Sequence, residues 1–170
     1  MSQAAIIELD PSSKGAEKVI EEIVRLERRI FPKHESLART FHDELRRKNG
    51  GLIYAKVESG TQGREEVKVK GEAEIVGYAM YSFVTSLCAS ITKLAVKDGY
   101  RRQGHGETLL KAAIERCRRR SIHRISLHVD PARAAAVSLY QKFGFQVDTT
   151  IKGYYSSERD AYRMYLDFDQ

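Results

Sequence analysis

The stretch Tyr100-Arg101-Arg102-Gln103-Gly104-His105-Gly106-Glu107-Thr108 carries the residue types of an anion site. An apolar run, Ile91-Thr92-Lys93-Leu94-Ala95-Val96, leads into it, and Leu109-Leu110 through Ile114 leads out with helical spacing. A strand that turns through a glycine-rich, arginine-bearing loop into a helix exposes free backbone N–H groups where the helix begins. Those groups, the positive end of the helix dipole and the arginines together suit a phosphate. Two familiar phosphate loops do not match. Gly99 and Gly104 have the spacing of a P-loop, but His105-Gly106 stand where it needs Lys-Ser or Lys-Thr. Gly104 and Gly106 begin a dinucleotide fingerprint, but Leu109 occupies its third glycine position. His128 is a second residue able to do chemistry. Strand alternation puts Ser126, His128 and Asp130 on one face, opposite Leu127 and Val129. A histidine titrates near neutrality, which suits proton removal through a water. The plainer role is a strand histidine that only hydrogen-bonds its neighbours.

Strands and helices on either side must position these residues. Ala4 to Leu9 is a short strand closed by Asp10-Pro11-Ser12-Ser13. From Ala16 to Phe31 the positions Val19, Ile20, Ile23, Val24, Leu26 and Ile30 have helical spacing, and Pro32 ends that helix. A second helix covers Leu37 to Lys48, stopped by Asn49-Gly50-Gly51. Leu52–Val57 is a strand, and the polar, glycine-bearing stretch 58–72 is an exposed hairpin insertion. Strands at Ile75–Val84 and Leu87–Val96 precede the glycine loop, and a helix from about Gly104 to Arg119 comes after it. After the His128 strand come a helix over Arg133–Phe143 ended by Gly144, a strand opening at Phe145, and a last strand over Ala161–Leu166. This β-α-α-β-β-β-α-β-α-β-β order predicts one domain over residues 1–170, of α+β or mixed α/β class.

Composition narrows the function. No apolar run approaches the roughly 20 residues of a membrane span, and Met1 to Asp10 lacks the basic and apolar regions of a signal peptide. Cys88 and Cys117 have neither metal-ligand spacing nor the number for a disulfide framework, so no metal is expected and a reducing cytosol or nucleus is the default. The net charge of +6 suits a nucleic acid, an acidic partner or a phosphorylated cofactor. The densest basic run, Arg116 to Arg120, falls at a helix C-terminus, where the dipole favours cations. No helix-turn-helix, zinc or RNA-binding signature accompanies it, which argues against nucleic acid.

Arg-Arg-Gln-Gly-His-Gly resembles the (Gln/Arg)-x-x-Gly-x-(Gly/Ala) loop that holds the acetyl-CoA pyrophosphate in GCN5-related N-acetyltransferases (GNAT). Three more stretches are similar to that family. Ser126-Leu127-His128-Val129 and then Ala134 to Phe145, with Leu139-Tyr140 and Gly144-Phe145, look like its second cofactor segment. Gly153-Tyr154-Tyr155 and Asp160 to Met164 resemble the C-terminal hairpin of protein N-alpha-acetyltransferases, and Phe31-Pro32 falls where those enzymes have a substrate-contacting turn. The resemblance implies a central mixed, mostly antiparallel sheet flanked by about four helices.

It also implies a chemistry. Amides from Arg101 to Gly106 would face the pyrophosphate, with Arg101, Arg102, Gln103, Gly104, His105, Gly106, Glu107 and Thr108 forming the loop. Leu94, Ala95 and Val96 would run beside the pantetheine, with a backbone N–H polarising the thioester carbonyl. His128 matches a histidine base. Tyr140 matches the tyrosine that faces the CoA sulfur, and at a pKa of about 10 it can protonate a thiolate near 8.5. Tyrosine packing in a helix core is the plainer role. Arg133 stands near a cofactor-contacting Asn of the family and would itself bind the cofactor, reaching a phosphate instead. Phe31, Pro32, Tyr154 and Tyr155 would contact the acceptor. The sequence departs from relatives where Ser90 replaces an assisting tyrosine and where Thr92 and Lys93 stand in place of a glutamate base.

The expected reaction is acetyl transfer from acetyl-CoA to an N-terminal α-amine. At pH 7.4 an amine of pKa near 8 costs under about 1 kcal/mol to deprotonate, a lysine about 4 kcal/mol. One histidine with no strand carboxylate suits the easier amine. Lysine or polyamine acetylation is the alternative enzyme reading. A CoA-binding partner module is the alternative outside catalysis, and an auxiliary subunit is a further expected partner.

Overall fold

The computed structural model describes residues 4–31, 41–46, 49–58 and 73–168. Along them run β1 (Ala5–Glu8), α1 (Ala16–Ile30), α2 (Phe41–Arg46), β2 (Gly50–Glu58), β3 (Ala73–Phe83), β4 (Cys88–Val96), α3 (His105–Arg119), β5 (Arg124–Val129), α4 (Ala134–Lys142), β6 (Gln146–Ser156) and β7 (Arg159–Asp167). The order is the one the sequence pattern predicts. The strands form a single seven-stranded sheet, β1-β2-β3-β4-β5-β7-β6. Only β4 and β5 pair in parallel; every other neighbouring pair is antiparallel. The fold is α+β, with a mixed, mostly antiparallel sheet and four helices.

The sheet is covered on both faces, which is why β2 and β3 read as nearly continuous apolar runs. One face carries Ile53, Ala55, Val76, Ala79, Ile125 and Leu127 beneath Leu109, Leu110, Ala113 and Cys117 of α3 and Tyr140 of α4. The other face carries Leu52, Tyr54, Tyr78 and Met80 beneath Ile20, Ile23 and Leu26 of α1 and Phe41 of α2. Each Leu, Ile, Val, Phe or Met among them contributes about 1.5–3 kcal/mol by leaving water. Helix α1 stops where Phe31 turns extended (φ −104°, ψ 140°), as a residue before proline must.

The two glycines expected to stop α2 do different work. Gly50 and Gly51 lie inside β2 opposite Ser82 and Tyr81. A Cβ on Gly50 would stand 2.4 Å from the Tyr81 carbonyl oxygen, and one on Gly51 2.5 Å from the Tyr81 hydroxyl. Close backbone approach demands glycine at position 50, while Gly51 makes room for the Tyr81 ring. The expected α2 residues 37–40 and 47–48, Pro32, and the proposed insertion beyond Glu58 lie outside the described residues.

Two irregularities shape the sheet centre. Met80 pairs with Lys93 but Tyr81 with Ile91, so Thr92 is an extra residue in β4. This bulge reverses the facing of the rest of the strand. Leu94 and Val96 turn toward α3 and α4, while Lys93 and Ala95 turn toward α1. The second irregularity is that β4 and β5 pair only from Cys88↔Arg124 to Ile91↔Leu127. Beyond that register the two parallel strands part.

Candidate active site

The parting of β4 and β5 opens between the C-terminal ends of two parallel strands, where backbone groups on the inner edges lack each other as partners. Around this wedge stand most of the residues singled out by sequence. Leu94, Ala95 and Val96 form its β4 side, and His128 and Asp130 close its β5 side.

The glycine loop comes directly after β4. Gly104 is the N-cap of α3 in the left-handed conformation (φ 84°, ψ 4°), which a residue with a Cβ adopts only at a cost. The amide of Thr108 reaches the Gly104 carbonyl at 3.0 Å. The N–H groups of His105, Gly106 and Glu107 therefore precede the helix's own hydrogen bonds. A Cβ at Gly106 would meet Val96 and Leu139 only at 3.7 Å, so the end of β4, the start of α3 and the middle of α4 converge there without crowding.

The loop's side chains divide in a way that their charge alone did not indicate. Arg101 donates through Nε to the Val96 carbonyl (3.2 Å) and pairs with Asp98 (3.0 Å). Gln103 donates to the Gly99 carbonyl (3.1 Å), and Thr108 to the Gly104 carbonyl (2.9 Å). Tyr100 donates to Glu74 of β3 at 2.7 Å. Glu107 accepts from Lys142 at 2.9 Å, joining α3 to α4. These contacts brace the loop from within. Arg102, exposed and itself left-handed (φ 61°), is the loop arginine not spent on such a contact among the described residues. His105 is buried at 5% exposure, and its Nε2 has no hydrogen-bond partner among the described residues.

His128 sits on the α1 face of β5, half-buried, between the buried Leu127 and Val129 of the opposite face. Its imidazole stacks on Tyr154 with centroids 4.5 Å apart and planes 10° from parallel. Burial first, and then the Arg163 guanidinium opposite it in β7, hold its pKa below the usual 6.5. The ring is thereby kept neutral at physiological pH, the form that accepts a proton. Tyr140 comes from the other face, packed edge-on against Phe145 (5.8 Å) and only 7% exposed. Burial, helped by nearby Tyr155, pushes its hydroxyl up to about 12, and Arg133 opposes this.

Tyr154 and Tyr155 occupy an irregular stretch of the β6–β7 hairpin, between the pairs Ile151↔Ala161 and Ser156↔Arg159. Gly153 turns through φ 67° there and its amide donates to Asp160 at 2.9 Å. The two rings meet edge to face at 4.9 Å. Tyr155 also receives the Arg159 guanidinium at 5.0 Å, and Arg159 pairs with Asp130 at 2.9 Å. Phe31 lies at the end of α1 with Lys93 Nζ 3.6 Å and Arg133 Cζ 5.8 Å from its ring centre. Contacts thus run from His128 through Tyr154 and Tyr155, and from Phe31 through Arg133, toward Tyr140.

One group escaped sequence reasoning. Glu27 of α1 is wholly buried, accepts the Tyr78 hydroxyl and lies 3.4 Å from Lys93 Nζ. Its signal was present: Glu27 continues the Ile20, Ile23 spacing of the buried stripe, where a carboxylate stands only if a partner meets it. The basic run is likewise partly spent, Arg116 on Glu8, Arg118 over Phe168 (4.8 Å) and Arg120 over Phe83 (4.6 Å). Among the described residues no helix is long and apolar enough to cross a membrane, and no group of three or more His, Cys, Asp or Glu gathers as for a metal.

The glycine loop feeds a helix N-terminus beside two parted parallel strands of a mostly antiparallel sheet. The family model described as Acetyltransferase (GNAT) family matches residues 19–145, and the chain belongs to that family. A Bacillus subtilis protein, provisionally named a ribosomal protein bS18-alanine N-acetyltransferase, is 39% identical over 83 residues, 48% of this chain and 55% of that protein. An N-alpha-acetyltransferase of Saccharolobus solfataricus is 32% identical over 102 residues, covering 53% and 61% of the two chains. The chain spans about half the length of the curated relatives it matches first. Across 98% of the chain and 99% of its counterpart, the fold is that of Arabidopsis thaliana NAA60 in complex with acetyl-CoA (TM-score 0.78, 17% identity). The Escherichia coli ribosomal-protein-S18-alanine N-acetyltransferase shares it with TM-score 0.75 at 24% identity, over 98% and 95% of the chains.

Proposed function

We propose that this chain is an acetyl-CoA-dependent N-acetyltransferase whose acceptor is the α-amine of a protein or peptide N-terminus. The carrying observation is the β4–β5 parting, approached by His128 from one face of the sheet and by Tyr140 from the other. The amides of His105, Gly106 and Glu107 with Arg102 would hold the pyrophosphate, while the bonds of Thr108 to Gly104, Arg101 to Val96 and Gln103 to Gly99 fix the loop. The inner edge of Leu94, Ala95 and Val96 would take the pantetheine. Bound there, acetyl-CoA supplies an activated acyl group open to direct attack by an amine. Neutral His128 accepts the amine's proton through a water, a backbone N–H of β4 polarises the carbonyl, and Tyr140 gives its proton to the departing thiolate. Phe31, Tyr154 and Tyr155 shape the acceptor's path. The activities named for the bS18-alanine and N-alpha relatives support this acceptor class.

Residues 1–170 are read as one acetyltransferase domain, because the two described cores lie on the two faces of one sheet. Both cysteines are free thiols, which fits a reducing compartment such as the cytosol. A partner subunit remains part of this reading, since one structure of the same fold is the NatC complex bound to Gag peptide and CoA. Among the described residues, however, the large exposed apolar side chains are Val84, Leu87, Val147 and Tyr154, none of them on α1 or α2.

The test is acetyl-CoA turnover, read as released thiol, against peptides with free N-termini, N-blocked peptides carrying lysine, and polyamines. Turnover confined to free N-termini is expected. Turnover of blocked lysine peptides or polyamines instead would overturn the α-amine assignment, and acetyl-CoA binding without turnover would leave a cofactor-binding module.

A further inference from the structure

Among the described residues, four cations stand on the acceptor side of the wedge, and they are not equivalent. Lys93 lies 3.4 Å from Glu27, Arg159 2.9 Å from Asp130, and Arg163 2.9 Å from Asp148 through its Nε. Arg133 forms no ion pair among the described residues, although its charge helps to hold the Asp130 carboxyl, which Arg159 pairs, below its usual range; it is exposed, and its guanidinium lies 5.8 Å from the centre of the Phe31 ring. It also acts electrostatically on Tyr140, so it reaches from the acceptor wall to the candidate acid.

Helix stability does not account for this residue. Arg133 is the N-cap of α4, makes no side-chain capping bond, and no acidic residue occupies the first turn. A cation at that end opposes the helix dipole. Nor does packing account for it, since the side chain is exposed. What remains is a guanidinium whose five donors suit a carboxylate, fixed beside the aromatic wall against which an acceptor's leading side chains would lie.

We propose that Arg133 is a specificity-determining residue that selects acceptors carrying a carboxylate, Asp or Glu, beside the α-amine. The proposal rests on the α-amine reading above. A neutralised pair such as Lys93–Glu27 presents little net field to an incoming side chain, whereas a guanidinium in no close ion pair among the described residues, sharing Asp130 with Arg159 only at longer range, attracts a carboxylate and repels an ammonium. Phe31 supplies the apolar wall common to all acceptors, and Arg133 supplies the discrimination among them.

The test is a series of N-terminally free peptides differing only in their second residue, Asp, Asn or Lys, measured with the intact chain, Arg133→Gln and Arg133→Glu. In the native chain kcat/KM should fall from Asp to Lys by at least about tenfold, which corresponds to about 1.4 kcal/mol. Arg133→Gln should flatten the series and Arg133→Glu should invert it, with the melting temperature preserved. Equal use of Asp and Lys peptides by the native chain overturns this proposal and leaves the α-amine reading intact. A raised acetyl-CoA KM with the peptide preference unchanged also overturns it, and makes Arg133 a cofactor ligand instead. Turnover of none of the free-amine peptides overturns the α-amine reading, and this proposal with it.

Discussion

The imidazole of His128 lies flat on the phenol ring of Tyr154, 4.5 Å between centroids, although the two residues come from β5 and from the irregular part of the β6–β7 hairpin. The stack does two things at once. It removes one face of the imidazole from water, which disfavours the charged form, and it fixes the ring where the sheet has parted. Because Tyr154 is itself half-exposed, the stack is also the point at which an acceptor could press on the candidate base.

This stack sets a pH dependence. The His128 pKa lies below 6.5, so the neutral, proton-accepting form dominates through neutral pH. The acidic limb of kcat/KM should therefore fall below pH 6.5. Tyr154→Ala admits water to the ring, weakens the desolvation and should move that limb upward. His128→Ala should lower kcat by about 100-fold or more, in line with the loss of a general base. A stability effect shares the sign. The unfolded chain protonates this histidine more readily than the folded one, so its contribution is complete above pH 6.5 and declines as pH falls below that value. Activity profiles of the two variants, beside urea titrations at two pH values, check both statements.

Tyr140 yields a prediction about what should be missing. With its hydroxyl pushed up to about 12, it stays protonated across the working range and should contribute no alkaline limb below about pH 11. Tyr140→Phe keeps the ring that packs on Phe145 and should change stability by less than about 1 kcal/mol. If the hydroxyl protonates the leaving thiolate, kcat drops at least about tenfold while the peptide KM holds. An alkaline limb that vanishes in Tyr140→Phe would contradict the proton-donor assignment.

The fold was legible because its signals are local. Apolar spacing marked α1 and α3, Pro32 ended α1, and Gly144, at φ 96°, ended α4. What escaped is what depends on distant partners. Gly50 and Gly51 look like a helix stop until Tyr81 is placed opposite them. The bulge at Thr92 has no sequence mark, yet it decides that Lys93 faces α1 and Leu94 faces α3. Arg101 and Gln103 read as phosphate ligands by type, whereas their hydrogen bonds are to the loop's own carbonyls. Alternation along β5 did place His128 opposite Leu127, but nothing in the sequence announced the ring that stacks on it.

The two loop glycines should respond differently to the same methyl group. Gly104 sits at φ 84°, where a Cβ costs about 1–2 kcal/mol whatever the surrounding space. Gly104→Ala should lower the melting temperature and, by relaxing the N-terminus of α3, raise the KM for acetyl-CoA. Gly106 has no such φ, and its Cβ would make ordinary contacts at 3.7 Å. Gly106→Ala should leave both quantities nearly unchanged. Equal damage from the two substitutions would place the constraint in something other than backbone conformation.

The Glu27–Lys93 pair carries a stability prediction, because the carboxylate is buried against its ammonium partner. Glu27 is 0% exposed and the Lys93 side chain 12%. Lys93→Met keeps the aliphatic stem but removes the ammonium, one charged partner of a buried carboxylate to which the Tyr78 hydroxyl still donates. Breaking a buried pair from one side costs roughly 3 kcal/mol or more. Removing both charges, as Lys93→Met with Glu27→Gln, should recover most of that loss, since an amide can still accept from the Tyr78 hydroxyl. The function should not recover in parallel. Lys93 Nζ also lies 3.6 Å over the Phe31 ring, one helical turn beyond Glu27, so the ammonium ties the end of α1 to β4. In the double variant, denaturant titrations should report near-native stability while the peptide KM stays raised and the acetyl-CoA KM is native. Recovery of the peptide KM together with stability would reduce Lys93 to a counterion for Glu27, with no part in positioning Phe31.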